Sequence, residues 1–336
     1  MFSYRDARPG RFYANRDDRL PAEPHPEPGF VCFARRLGAA APDPANDRLD
    51  PDEALREARL DWPVHRGAVH ASGPRGSAAA ERYQALIRPD TDQVMSVVTR
   101  AYTPAENADV LHTALALAGR IDPWGSGLVG AVGFGQQSER TLFAVRVATL
   151  YDRTLYLFAS NSHGGEGAVL FRLVEVGPED GAVFVVDSPH ATNTVAHSGN
   201  VQQKLHQLGQ HSSFVEDYLK SVPAEWSELE DALWTPRHTA ALTKHLWGEK
   251  PDLDPTTTGG KPLGPPRDAH RHPAYHLRLD RCSDAASAFR RVCQFLDHES
   301  EACERGDFTR DRDERLAVGA GTRIKRKAWR WIVENT

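Results

Sequence analysis

Between residues 81 and 119 the spacing of apolar positions changes from two to about four. Tyr83, Ala85 and Ile87 alternate with Gln84, Leu86 and Arg88, and Val94, Ser96, Val98 and Arg100 alternate with Met95, Val97 and Thr99. Period two with β-branched residues on both sides of Pro89-Asp90-Thr91-Asp92 predicts a hairpin. Proline presets φ for the turn, and aspartate bonds its own backbone there. Thr103-Pro104-Ala105-Glu106 then reads as a capping box, with Thr103 as N-cap and Glu106 at N3. Val110, Leu111, Ala114, Leu115 and Leu117 form a helical stripe that runs out at Gly119. The unit is strand, turn, strand, helix.

The same periodicities organise the rest of the chain. "DPDEALREARLDW" (50–62) reads as a short helix with an acidic first turn, and "PVHRGAVHA" (63–71) alternates like a strand. "SGLVGAVGFG" and "RTLFAVRVATL" predict a second hairpin, and "TLYLFAS" with "AVLFRLVEV" a third around Asn161-Ser162-His163-Gly164-Gly165; "AVFVVDSP" predicts one more strand. Helical spacing takes over at 199–222, 224–234 and 236–248, the last announced by Thr235-Pro236. Strands first and helices later predict an α+β fold of antiparallel hairpins with a packed helix, followed by a helical C-terminal half. The expected organisation is a flexible, Pro- and Arg-rich arm (1–28), a β-rich α+β core (29–195) and a helical part of that core (196–248). A linker (249–274) and a C-terminal helical segment (275–336) complete it.

Composition narrows the function classes a little. The chain has 336 residues, and 41 basic against 46 acidic side chains give a net charge of −5. A wholesale polycation is excluded, although a local basic groove is not. Cys32, Cys282, Cys293 and Cys303 are too sparse for a disulfide scaffold and suggest a reducing compartment, so a cytoplasmic location is expected. No run of about 18 apolar residues predicts a membrane span, and the charged N-terminus has no signal-peptide core.

Four patterns invite a chemical interpretation. Gly125-Ser126-Gly127-Leu128-Val129-Gly130 matches the dinucleotide fingerprint in letters only, because a strand rather than a helix follows it. His270, His272, His276 and Cys282 could supply zinc ligands, but two of the histidines lie in the Pro-rich linker and no C-x-x-C pair accompanies them. A solvated linker is the preferred reading, and no metal or cofactor is expected. Ser162 and His163 are neighbours on a tight turn, where a base rarely reaches a nucleophile, so no catalytic residue is assigned. "RIKRKAWRW" (323–331) is the one dense basic and aromatic cluster: Arg323, Lys325, Arg326, Lys327 and Arg330 could neutralise phosphates while Trp329 stacks on a base. Its alternative is a C-terminal helix docked on the core.

The run "FARRLG", "LDPDEALREARLDWPV", "YQALIRPDTDQVMSVVTRAYTPAENADVL", "LYLFASNSHGGEGAV" and "AHSGNVQQKLHQL" resembles the phage/plasmid-like protein family. That family carries a domain of unknown function (nine-three-two). The resemblance covers about residues 33–220 and is most distinctive at Tyr102-Thr103-Pro104 with Asn107, Asn161-Ser162-His163 and Gly199-Asn200-Val201. The chain departs from the family at Phe33–Arg36, where a Trp-His pair is usual, and at "DSPHATNTVAHSGN", which lacks a Cys-Gln-Asn segment. The resemblance implies a protein of a phage, plasmid or other mobile element. Its hairpin-and-helix core is similar to that of single-strand annealing proteins, which oligomerise around a basic DNA groove.

The function expected is therefore non-enzymatic binding of single-stranded DNA, or of RNA, by a homo-oligomer, with strand annealing left open as a further step. The candidate contacts are Arg88, Arg100, Arg140 and Arg146 on the hairpins, with Arg153 as a weaker addition, and Arg323, Lys325, Arg326, Lys327, Trp329 and Arg330 at the C-terminus. The alternatives are a metal-dependent nuclease or hydrolase, and an anti-defence or scaffold protein that binds a host protein.

Overall fold

A computed structural model describes residues 50–73, 76–134, 139–150, 153–165, 167–177, 182–248, 257–258, 261–262, 276–299 and 320–336. The expected arm, the "FARRLG" segment, most of the linker, His270 and His272 lie outside these residues. The fold is α+β, with antiparallel sheets and with helices gathered in the C-terminal half. The chain divides into two compact units, one of residues 1–181 and 188–218 and one of residues 182–187 and 219–336. The helical stretch 196–248, expected with the β-rich core, is thus shared between the two.

The first unit opens with α1 (Pro51–Glu57), whose N-cap Asp50 accepts the Glu53 N–H at 2.8 Å. Strands β1 (His65–Gly73), β2 (Gly76–Arg88) and β3 (Gln93–Thr99) form an antiparallel three-stranded sheet in chain order. The register pairs Tyr83 with Thr99 and Arg88 with Gln93, so the predicted turn at Pro89–Asp92 is present. Helix α2 (Asn107–Gly119) follows, and then β4 (Gly127–Phe134), β5 (Arg140–Leu150), β6 (Arg153–Ser162) and β7 (Val169–Val176) run up and down as neighbours. A short strand β8 (Thr192–Val195) pairs with β7. The strands are buried on nearly every residue because α2 covers them: Val110, Leu111, Ala114 and Leu117 pack on β4, β5 and β6. Each of the valine and leucine side chains contributes roughly 1.5–3 kcal/mol by leaving water.

Three helix boundaries differ from expectation. Helix α2 begins at Asn107, not beside Thr103, and its N-cap Glu106 makes no capping bond. Thr103 is held elsewhere: its N–H donates to His197 C=O at 3.0 Å, and its C=O lies 3.2 Å from His197 Nδ1. Glu106 instead accepts the Val64 N–H at 3.1 Å. The stretch 199–222, read as one helix, breaks into α3 (Val201–His211) and α4 (Phe214–Asp231). Ser212 is extended and its hydroxyl accepts the Phe214 N–H at 3.3 Å, a local bond that competes with continuing the helix. Helix α4 then passes through Pro223, where a new helix was expected, and its residues from Leu219 onward belong to the second unit.

That unit is built on aromatic packing. Trp226 of α4 meets Trp329 of α7 (Ala320–Asn335) with ring centroids 4.9 Å apart, and Phe289 of α6 (Ala285–Gln294) lies 4.9 Å from Trp329. Both contacts are edge-to-face, the arrangement the ring quadrupoles favour. Helix α5 (Pro236–Trp247) starts as predicted, with Thr235 accepting the His238 N–H. The predicted strand 182–189 shortens to Val183–Phe184.

Candidate nucleic-acid interface

The three-stranded sheet has one face that nothing among the described residues covers. By alternation Tyr83, Ala85 and Ile87 of β2 share it with Val94, Val97 and Thr99 of β3. Tyr83 is 48% exposed, Val94 55% and Val97 54%, unusual values for side chains of this size. At the end of this ladder the Arg100 N–H donates to Arg82 C=O at 3.1 Å, one step beyond the Tyr83–Thr99 pair. Arg82 and Arg100 therefore stand opposite each other on the reverse face, both exposed. Neither has an ion pair among the described residues. Like charges placed opposite each other across a ladder destabilise it by tenths of a kcal/mol, and an anion relieves that.

What holds the sheet in place is a buried polar cluster built from the residues that carried the family resemblance. Asn107 Nδ2 donates to Leu60 C=O at 3.1 Å, which aims Asn107 Oδ1 at β5 and β6. That oxygen accepts from Asn161 Nδ2 and lies 3.0 Å from His163 Nε2, with the Thr141 hydroxyl at 3.3 Å. The second proton of Asn161 Nδ2 goes to Ala105 C=O at 2.9 Å. Both amide protons being used, the proton between His163 and Asn107 must sit on Nε2, and Nδ1 is left as the acceptor. Among the described residues, His163 Nδ1 and Asn161 Oδ1 have no partner. Burial, with His197 adding repulsion, pulls the His163 pKa down to about 3. Burial also holds the Tyr102 phenol well above its usual range, and that hydroxyl donates to Ser162 C=O at 2.7 Å. Ser96 of β3 donates to His163 C=O at 2.6 Å. The turn that follows packs as closely: Gly165 has φ +79°, and a Cβ there would stand 2.9 Å from Val98 Cγ1. The Asn-Ser-His-Gly-Gly turn is thus a clasp between two sheets, with His163 sealed inside.

The predicted contacts scatter. Arg88 is only 3% exposed: it pairs with Asp90 at 2.7 Å, donates to Arg59 C=O and lies over the Trp62 ring. Arg153 is buried against Glu175 at 3.0 Å. Arg140 and Arg146 are half-buried on β5, Arg146 donating to the Thr149 hydroxyl. Of the hairpin arginines predicted as contacts, Arg100 is the one that is exposed. In α7, Lys325 is fully buried, paired with Asp297 at 2.6 Å and donating to Val183 C=O, and Trp329 is core. Burial therefore corrects the expectation for Arg88, Lys325 and Trp329, because none of them can meet a phosphate or a base where it stands. Arg326 and Arg330 both pair with Asp187, which offsets their charge, and Lys327 donates to His245 C=O. Arg323 is exposed. Of the cluster, Lys325 and Trp329 form the inner seam of the helix, while Arg323, Lys327 and Arg330 are exposed.

Arg82 and Tyr83 escaped the sequence reading, although the alternation already placed Tyr83 on the face opposite Leu86. His276 and Cys282 lie within the described residues, and no three His, Cys, Asp or Glu side chains there converge on a metal position. No described helix is long and apolar enough to cross a membrane. No protein-family model, curated protein or solved structure matches this chain.

Proposed function

We propose that the protein binds single-stranded nucleic acid, DNA in the first place, at the end of the three-stranded sheet and without catalysing a reaction on it. The observation that carries this reading is the exposed Arg82–Arg100 pair one residue from half-exposed Tyr83. Arg82 and Arg100 point to the reverse face and Tyr83 to the open one. A strand that wraps over this end therefore meets two phosphate-binding guanidiniums on one side and, on the other, a ring on which a base can stack, the two components of sequence-tolerant binding. The resemblance to the phage/plasmid-like family and the likeness to annealing proteins support the same reading, and with them a homo-oligomer and a mobile-element origin. A cytoplasmic site of action fits a DNA ligand and the sparse cysteines.

Fluorescence anisotropy with labelled single strands at low salt tests it. Affinity should fall steeply with salt, because each neutralised phosphate releases counterions. Arg82→Ser with Arg100→Ser should lower the salt slope by about two units, and Tyr83→Ala should cost roughly 1–3 kcal/mol of binding. All three residues are exposed, so the variants keep their fold. No binding at micromolar protein, or full affinity in the double arginine variant, overturns the assignment. An RNA strand of the same sequence in parallel separates the two nucleic acids.

A further inference from the structure

The second unit contains a cavity of about 640 Å³ between the loop before α6 and the first turns of that helix. This is the size of a small-molecule site. Its lining is cationic to an unusual degree: Arg278, Arg281, Arg290 and Arg291 contribute guanidinium groups, and Cys282 and Ser287 add short polar side chains. Among the described residues no carboxylate and no Phe, Tyr or Trp side chain lines it.

The arginines divide into two fixed and two exposed. Arg291 donates to Leu277 C=O at 2.9 Å and to His276 C=O at 3.2 Å, which ties the loop to the helix. Arg290 reaches Glu230 at 2.6 Å and lies over the Trp226 ring, 5.2 Å from its centroid. Arg278 and Arg281 are exposed, and neither has an ion pair among the described residues. Asp284 is engaged in capping α6, accepting the Ser287 N–H at 2.6 Å and the Ser283 hydroxyl at 2.7 Å. Burial raises the Cys282 pKa, so its thiol stays protonated and acts as a small donor instead of a nucleophile.

We propose that this cavity binds a ligand through closely spaced phosphate groups, a polyphosphate or a terminal phosphomonoester. Two exposed guanidiniums, Arg278 and Arg281, beside the anchored Arg290 and Arg291 exceed what a single phosphodiester needs. Their planar forks match phosphate oxygens two at a time. The charged lining makes the phosphates the principal recognition element, with the His276 imidazole as the one ring among the described lining residues. The site is separate from the sheet end, and its ligand is held whether or not the sheet binds a strand.

Isothermal titration calorimetry of the full chain with inorganic pyrophosphate tests the proposal. Saturable binding is expected, and Arg278→Ser with Arg281→Ser should weaken it by at least roughly tenfold, the loss of one charge-assisted hydrogen bond. Both side chains are exposed, and an unchanged melting temperature confirms that the variant is folded. Binding should survive in the Arg82→Ser, Arg100→Ser variant, so failure here and failure at the sheet can be told apart. Absence of saturable binding at millimolar pyrophosphate overturns the proposal, and so does equal affinity in the Arg278, Arg281 variant. Two further arms identify the source of the phosphates. Binding of a nucleoside triphosphate that depends on Arg278 and Arg281 assigns the site to a free nucleotide. A gain in affinity for a 5′-phosphorylated over a 5′-hydroxyl oligonucleotide, lost in the same variant, assigns it to a strand end.

Discussion

His163 donates one ring proton to Asn107 and keeps its other nitrogen bare, and its pKa near 3 means that the folded chain does not protonate it at ordinary pH. The unfolded chain does so near the ordinary value of 6.5. Between these two values the unfolded state binds the proton and the folded state refuses it, so stability rises with pH across that window and drains away as pH falls through it. The contribution is complete above pH 6.5 and costs about 1.4 kcal/mol for each unit below. His197, also lowered by burial, acts in the same direction. Urea midpoints measured from pH 7 to pH 4 should decline, and His163→Gln should be less stable at pH 7 but decline less steeply. An unaltered slope in that variant would place the acid sensitivity elsewhere. The sequence placed a turn at Asn161–Gly165, whereas Asn161 and Ser162 still pair with β5 as the end of β6, and depth was not legible. Alternation tells which face a side chain takes and is silent about what lies above it. Arg88 shows this: its place on β2 was read correctly, while its burial depends on Trp62, Arg59 and Asp90.

Helix α7 shows the same gap at the scale of an element. Its 3.6-residue period was legible, and the alternative reading already docked it on a core. What periodicity could not supply was an acidic partner for a lysine on the inner face, because Asp297 lies 28 residues earlier in a one-turn π-helix, Phe295–Glu299. The pair is well served: Asp297 also accepts the Val183 N–H at 2.9 Å, and Lys325 donates to Val183 C=O at 2.7 Å. Removing one partner of such a pair strands a buried charge, so Lys325→Met should cost about 3–5 kcal/mol. Adding Asp297→Leu should recover part of that loss. Thermal or urea unfolding of the two variants decides; a double variant no better than the single would mean that packing around the pair, not charge, sets the cost. Trp329→Ala should cost about 3–5 kcal/mol in the same assay and leave strand affinity intact in the folded fraction.

At the scale of the whole molecule, the fold class and most strand boundaries were legible because period two over six or more residues is a strong signal. The partition into two units was not, because it cuts across α4 and brings residues 182–187 to helices far along the chain. Nothing local at Ala182–Asp187 announces partners at 297 and 325. Equally, the density of basic residues in "RIKRKAWRW" suggested a surface, and the structure uses much of it for internal neutralisation. Exposed guanidiniums also fall where the sequence looked plain, at Arg82 and at Arg278 and Arg281, beside the predicted Arg100, Arg323 and Arg330.

Val183 has a further consequence, for the order of events on the ribosome. Its backbone N–H and C=O are both engaged by side chains made 114 and 142 residues later. At typical elongation rates of about 5–20 residues per second, that wait is on the order of ten seconds. Residues 50–181 can bury their own strands meanwhile, whereas the Val183 N–H and C=O that Asp297 and Lys325 engage wait until α7 emerges. Closing so wide a loop comes late because its entropy is spent before the contacts return it. A nascent chain stalled before Ala320 should therefore show Trp226 still exposed to a collisional quencher, and one released after Asn335 should show it protected.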